Sequence, residues 1–256
     1  MYSKQFPLIS IITVVYNGSK TLEQTIQSVI NQSYKNIEYI IIDGGSTDGT
    51  IEIIKEYEKD ISHWTSEPDK GLYDAMNKGI ALAKGELIGM INSDDWYELD
   101  AVKTIVDTYL NNPDKRIFHG DRFDIDNDGN KRKYRFNKSK FKFKYFSMTF
   151  NHPSMFIHRD IYKVAKYNIE LKSIADYEFV LKVFLKNEDF FCYVPLTYVN
   201  YRLDGISAQQ SLISEIKEGS KARLNAGLKY HQVFIFIILK FVRSFLRNVL
   251  GVRYIS

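Results

Sequence analysis

Residues 8–48 read LISIITVVYNGSKTLEQTIQSVINQSYKNIEYIIIDGGSTD, and this stretch decides the fold class. Leu8–Val15 is a continuous apolar run rich in β-branched residues, the composition of a strand buried on both faces of a parallel sheet. Thr21–Ile30 follows with Leu22, Ile26, Val29 and Ile30 at helical spacing. Ile37–Ile42 is a second buried strand, ending at Asp43-Gly44-Gly45-Ser46-Thr47-Asp48. The Ser, Thr and Asp residues there suit the N-terminus of a helix over Ile51–Tyr57.

Working outward, the rhythm continues. A short strand at His63–Thr65, a helix near Leu72–Ala83, a strand at Leu87–Ile91 and a helix over Ala101–Leu110 complete a β-α-β-α series. Short connections between such units predict an α/β fold with a doubly wound, mostly parallel sheet. Ligands of such sheets sit beyond the carboxyl ends of the strands. Tyr16-Asn17, Asp43–Asp48 and Asn92–Asp95 all fall at those ends, so one pocket can collect them. After Ile117–Gly120 the pattern becomes mixed. Asp126–Asn130 (DNDGN) reads as a hairpin turn, Ser154–His158 as a strand and Tyr177–Lys186 as a helix. Phe190–Val194 and Tyr198–Tyr201 read as two further strands.

Composition narrows the class. A chain of 256 residues, 45% hydrophobic and 26% charged, is ordinary globular protein, not disorder. The 14% aromatic share suits sugar stacking, a membrane interface or a β-rich core equally. Cys192 is the single cysteine, which excludes an intramolecular disulfide and fits a reducing compartment. The first residues have neither the charge pattern nor the apolar core of a signal peptide. The longest apolar run, Val233–Leu239, is too short for a membrane span. Charge is segregated: Lys131–Tyr145 carries eight Lys/Arg and Lys229–Ser256 five, with no acid in either. The rest of the chain is acidic, so the two basic patches point to an anionic surface or substrate.

Four constellations and one histidine could carry chemistry. Adjacent Asp94 and Asp95 at a strand end repel each other, and a hard divalent cation relieves that repulsion; the bland alternative is capping of the next helix. Asp43 can accept from a base or a ribose hydroxyl, or can simply stabilise its Gly-rich turn. Residues 67–79, EPDKGLYDAMNKG, offer Asp69 and Gly71 as substrate contacts, with Gly71 and Gly79 allowing close approach, or form a loop and a capped helix. Asp176 precedes an apolar helical run and is a candidate general base or an N-cap. His152, in Asn151-His152-Pro153, is a metal or phosphate partner or a hydrogen-bonded structural residue.

Taken together and in order, ISIITVVYNG, YIIIDGGSTDGT and SEPDKGLYDAMNKGIALAKGELIGMINSDDW resemble the donor half of family-2 glycosyltransferases. NHPSMF and ADYEFVLKVF extend the likeness more weakly to about Arg202. The resemblance implies a GT-A fold, a nucleotide-diphosphate sugar donor (uridine being the commonest nucleotide), Mg²⁺ or Mn²⁺, and inversion at the anomeric carbon. It implies that Thr13, Val15 and Asn17 line the nucleoside pocket, that Asp43 holds the base, and that Asn77 and Lys78 lie near the donor. Asp94 becomes the metal ligand with Asp95 beside it, and Asp176 the catalytic base. Asn92 stands where many relatives have an aspartate, so the ribose contact is expected from an amide. Ala175 stands where many have a glutamate.

The organisation expected is a catalytic domain over 1–202, with a donor half to about 120 and an acceptor half over 121–202, then a C-terminal helical extension over 203–256. Within Gln232–Val252, Phe234, Ile238, Phe241, Phe245 and Val249 recur at helical spacing, with Lys240, Arg243 and Arg247 marking a second side. That is the make-up of an interfacial helix, which places the protein peripherally on the cytoplasmic face of a membrane, beside a glycan or lipid-linked glycan acceptor of surface-polysaccharide synthesis. A processive synthase is disfavoured, because neither Trp64 nor Trp96 follows an Arg as the Gln-x-x-Arg-Trp motif requires. A non-catalytic nucleic-acid module could use the basic-aromatic segment Lys131–Tyr145. The preferred reading there is a strand with Lys140, Lys142 and Lys144 on its wet face and Phe141, Phe143 and Tyr145 inside, so no nucleic acid is expected.

Overall fold

The computed structural model describes residues 6–203 and 211–250, with side chains to residue 246. Strand β1 (Ile9–Val15) lies between β2 (Ile37–Asp43) and β4 (Leu87–Asn92), parallel to both. β3 (His63–Ser66) continues the parallel array beyond β2. All seven residues of β1 are buried. Ile9, Ile11 and Val15 pack on one face with α1 (Leu22–Ile30) and α4 (Ala101–Asn111). Ile12 and Val14 pack on the other with α3 (Leu72–Leu82). Two covered faces explain the unbroken apolar run, and each buried Ile or Val contributes roughly 1.5–3 kcal/mol. α2 (Thr50–Glu56) completes the first half. Gly79 of α3 sits so close to β1 that a Cβ there would lie 2.5 Å from Ile12 Cγ2. This glycine serves helix–sheet packing, not close approach to a ligand as the sequence suggested.

The second half extends the sheet in the order β3-β2-β1-β4-β8-β6-β9-β5. β8 (Phe156–His158) runs antiparallel to β4 and β6 (Ile117–Ile125), and β6 pairs in parallel with β9 (Phe191–Arg202). β5 (Trp96–Tyr97), unforeseen in the sequence, pairs with the end of β9. Asp126–Asn130 turns β6 into β7 (Lys131–Tyr134), as its composition indicates. β9 is one strand where two were expected. Pro195 interrupts the apolar pattern but sits at a register shift, between Val194 opposite Gly120 and Thr197 opposite Asp121.

Residues 140–145 correct the strand expectation. They form α5 (Lys140–Tyr145), capped by Ser139, whose Oγ accepts from Lys142 N at 3.1 Å. Phe143 is buried but Phe141 is exposed, as a helix requires and an alternating strand does not. α6 (Arg159–Val164) and α7 (Ala175–Lys186) follow, and then α8 (Leu212–Ala226) and α9 (Tyr230–Leu250). α9 seats Val233 and Phe236 against the body; Phe236 lies over the Arg223 guanidinium at 3.6 Å. Arg247 and Val249 have side chains outside the described residues.

Candidate functional site

The strand order fixes where a ligand fits. From β1 the chain winds to β2 and β3 on one side and to β4 on the other, so the switch point lies between β1 and β4. Val14 is level with Asn92 and Val15 with Asp43, which brings the three polar loops to one edge. A Cβ at Gly18 would lie 3.1 Å from Ser93 Oγ, and one at Gly44 would meet Asp69 Oδ2 at 2.5 Å and Tyr16 Cδ2 at 3.4 Å. The loop after β1 therefore touches the loop after β4 and the turn after β2, and that turn touches the 67–71 loop.

Within this edge the expected residues divide. Asn17 is exposed and holds φ +51°. Its Oδ1 accepts from Thr47 N at 2.9 Å and its backbone N–H donates to Ser46 Oγ at 2.7 Å, pinning two loops together. Asp69 is half-buried and orders its loop by accepting from Gly71 N at 2.7 Å; Gly71, at φ +107°, starts α3. Lys78 pairs with Glu67 at 2.8 Å, a contact that raises its pKa. These residues line the edge.

Others do not. Thr13 is fully buried in mid-strand, its hydroxyl taken by Tyr39 at 3.0 Å, and Val15 packs in the core, so neither side chain lines a pocket. Asp43 is also fully buried. It accepts from Gly45 N and Ser46 N at 3.0 Å each, from Ser66 Oγ at 2.6 Å and from Ser46 Oγ. Three of these bonds fall on Oδ2 and one on Oδ1, so Asp43 builds the turn, and Oδ1 keeps capacity for one further donor. Asn77 clamps the Tyr167 backbone, donating to its carbonyl at 2.8 Å and accepting from its amide at 3.1 Å. One donor and one acceptor of its amide are thereby committed to structure.

The paired aspartates are not caps. The N-cap of α4 is Asp100, five residues beyond. Asp95 is fully buried and accepts from Arg202 N at 3.1 Å and from Asn92 Nδ2 at 3.5 Å, while its carbonyl accepts from Thr25 at 2.6 Å. Burial first, and then the Asp94 charge, push its pKa well above the usual carboxylate range. Asn92, expected at the ribose, is thus tied to Asp95. Asp94 is half-buried. Arg202, which sequence reasoning passed over as the end of a likeness, latches the pair: Nε donates to the Asp94 carbonyl at 2.9 Å, Nη2 to Gln24 at 2.5 Å, and the guanidinium covers Trp96 at 4.9 Å.

This donor set fits a hard divalent cation of the Mg²⁺ or Mn²⁺ type. Two adjacent carboxylates, one buried against its own charge, are relieved by such an ion. No group of three or more His, Cys, Asp or Glu that could hold a metal occurs among the described residues. Substrate phosphates and water would therefore complete the shell, as Mg²⁺ commonly requires. Asp94 would hold such an ion, with the buried Asp95 behind it.

Asp176 is not an N-cap either. Ile174 holds that position, and Asp176 accepts a hydrogen bond from the Tyr73 hydroxyl at 3.0 Å. Tyr73 lies in the first turn of α3, directly after the Asp69–Gly71 loop. Its ring stacks on Tyr167 at 5.8 Å, and the Tyr167 hydroxyl meets His152 Nε2 at 2.8 Å. Burial lowers the His152 pKa, opposed by the Asp176 charge. His152 is thus linked to Asp176 through two tyrosines.

Comparison with known proteins bears on this geometry. Residues 10–165 match Glycosyl transferase family 2. The chain belongs to that family. An uncharacterized glycosyltransferase of Mycobacterium tuberculosis is 44% identical over 90 residues, 35% of this chain and 34% of the relative. The chondroitin synthase of Escherichia coli is 29% identical over 184 residues, 70% of this chain and 27% of the relative. The chain thus spans about a third of these relatives or less. Staphylococcus aureus TarS, solved with UDP-GlcNAc, superposes with a TM-score of 0.71 at 18% identity, covering 94% of this chain and 74% of that one. A Pyrobaculum calidifontis mannosyltransferase solved with GDP-Man and Mn²⁺ gives 0.63 at 13% identity, covering 96% and 72%. The family-2 fold is GT-A: a curled, mostly parallel mixed sheet with flanking helices.

Proposed function

We propose that this family-2 chain is an inverting, metal-assisted transferase that moves one sugar from a nucleotide-diphosphate donor, a UDP-sugar, to a hydroxyl of a glycan or lipid-linked glycan in surface-polysaccharide synthesis. One observation supports the reading: the latched Asp94-Asp95 loop follows β4, and Tyr73, bonded to Asp176, opens the helix after β3, so both stand beyond the carboxyl ends of parallel strands. Asp176 removes the proton of the acceptor hydroxyl as that oxygen attacks the anomeric carbon. Attack opposite the leaving diphosphate inverts configuration. Asp94 would hold a divalent cation, whose positive charge would stabilise the departing diphosphate. Asn17, Asp69 and Lys78 order the walls on the nucleotide side. UDP complexes and the Mn²⁺ complex of structural neighbours support the donor and metal assignments.

Peripheral binding to the inner face of the cytoplasmic membrane belongs to the same proposal. No helix among the described residues is long and apolar enough to cross a membrane. α9 instead leaves Tyr230, Phe234, Ile238, Phe241 and Phe245 exposed on the side away from Val233 and Phe236. This exposed apolar face suits a bilayer surface, while Lys240 and Arg243 lie on the opposite side of the helix, Lys240 paired with Glu215. The basic segment 131–145 is less available to nucleic acid than its sequence suggests. Lys131 pairs with Glu98, Lys133 with Asp121 and Lys140 with Glu188.

A screen of nucleotide sugars for metal-dependent turnover tests the reading. Turnover of at least one UDP-sugar, reduced roughly 10²–10⁴-fold by Asp176→Asn with binding intact, is expected. Turnover that ignores the substitution would remove Asp176 from the mechanism.

A further inference from the structure

A cavity of about 330 Å³ opens between β6, α5 and the far end of α7. It is not the donor edge. Phe184, on its wall, lies eight residues along α7 from Asp176, about 12 Å at the helical rise. Its walls are aromatic: Phe136, Phe150, Phe184, Phe191 and Tyr193. Two buried polar groups line it without any hydrogen-bond partner in the protein, His119 Nδ1 and Thr149 Oγ1. These residues are 1% and 2% exposed. An orphaned buried polar atom costs roughly 1–3 kcal/mol, so two facing one cavity call for a ligand that satisfies them.

The rim sets the charge of that ligand. Lys138 and Lys140 stand against Glu188 and Asp189, and Lys140 bonds Glu188 at 2.6 Å across the mouth. Cations and acids balance, which favours neither an anion nor a cation. The volume falls at the lower end of the range of small-molecule sites. Aromatic walls receive the C–H faces of a ring, while isolated polar groups receive single hydroxyls. We propose that this cavity is a second saccharide site, taking one neutral pyranose ring, with Thr149 and His119 bonding its hydroxyls. The choice of a sugar over other neutral rings rests on the transferase reading; the cavity's chemistry does not. Such a site would hold a glycan remote from the reacting end.

The test uses the full chain with ¹⁵N-labelled histidine and a panel of neutral methyl pyranosides, including glucoside, galactoside, mannoside and both N-acetylhexosaminides. UDP is titrated separately into the same samples. The site predicts that at least one glycoside shifts the His119 ring resonances saturably, whether or not UDP is present. Thr149→Val, which keeps shape and removes the hydroxyl, should weaken that binding about three- to tenfold. No shift from any glycoside up to about 100 mM, far above a millimolar dissociation constant, would overturn the proposal. So would unchanged affinity in Thr149→Val with a raised unfolding midpoint, which marks the hydroxyl as a packing defect or a water site. Glycoside binding without any UDP binding would leave this cavity standing and remove the donor reading instead.

Discussion

The Tyr73 hydroxyl donates to Oδ1 of Asp176 at 3.0 Å, joining α3 to α7 across 103 residues of sequence. It is the contact that fixes the proposed base relative to the Asp69–Gly71 loop. Because Tyr73 and Tyr167 stack, and Asn77 clamps the Tyr167 backbone, the carboxylate is held by a packed wall.

Tyr73→Phe keeps the stacked ring and removes the donor. Loss of one hydrogen bond to a charged group predicts about a tenfold or somewhat larger drop in turnover, with an unchanged fold. The measurement is kcat with donor affinity measured in parallel. A fall in affinity with normal kcat would place Tyr73 on the nucleotide side instead.

Arg202 should govern the metal requirement. Arg202→Ala removes the bonds to the Asp94 carbonyl and to Gln24 and uncovers Trp96. Outer contacts of this kind typically change metal affinity 10–100-fold. A Mn²⁺ titration of activity should therefore move to higher concentration by at least about tenfold. Superimposable titrations would show that the latch matters only for folding.

His119 should make the fold acid-sensitive. Burial pushes its pKa down from 6.5 to about 3, against a weaker opposing pull from Asp121. The unfolded chain binds this proton near pH 6.5 and the native protein does not, so stability present above that pH is lost as pH falls toward 3. His119→Phe, in its aromatic surroundings, removes the difference. Between pH 6.5 and about 4 its unfolding midpoint should fall less than that of the unaltered protein. Parallel pH profiles would mean that His119 is already protonated in the fold.

α9 should bring the protein to lipid. Phe234 and Phe241 are 62% and 55% exposed, so replacing both with Ser leaves the docked face untouched. Flotation with anionic vesicles should drop sharply in this variant, and salt should weaken binding of the unaltered chain. Equal flotation of the two proteins would contradict a lipid-facing α9.

Much of this was legible in the sequence because buried parallel strands write themselves as apolar runs. β1, β2 and β4 fall within a residue or two of their expected places. The same logic placed three polar loops at one edge. It could not say which side chains turn outward. Thr13 and Val15 belong to the strand interior, and Asp43 bonds Ser46 and Ser66, contacts that depend on a neighbouring strand. Residues 140–145 alternate like a strand, but a Ser139 cap and a pocket for Phe143 alone select a helix. Arg202 stands only at the end of the likeness, and Tyr73 lies within the 67–79 segment without a role of its own in the sequence reading. Their importance comes from partners more than 100 residues away.

Calorimetric titration of UDP in the presence of Mn²⁺ tests the central claim most directly. The account predicts saturable binding to the unaltered chain that disappears in excess chelator and in Asp94→Ala, while circular dichroism shows both proteins folded. UDP binding of equal strength with chelator, or in Asp94→Ala, would contradict a metal-assisted donor site at Asp94, and no binding under any condition would contradict the nucleotide site itself.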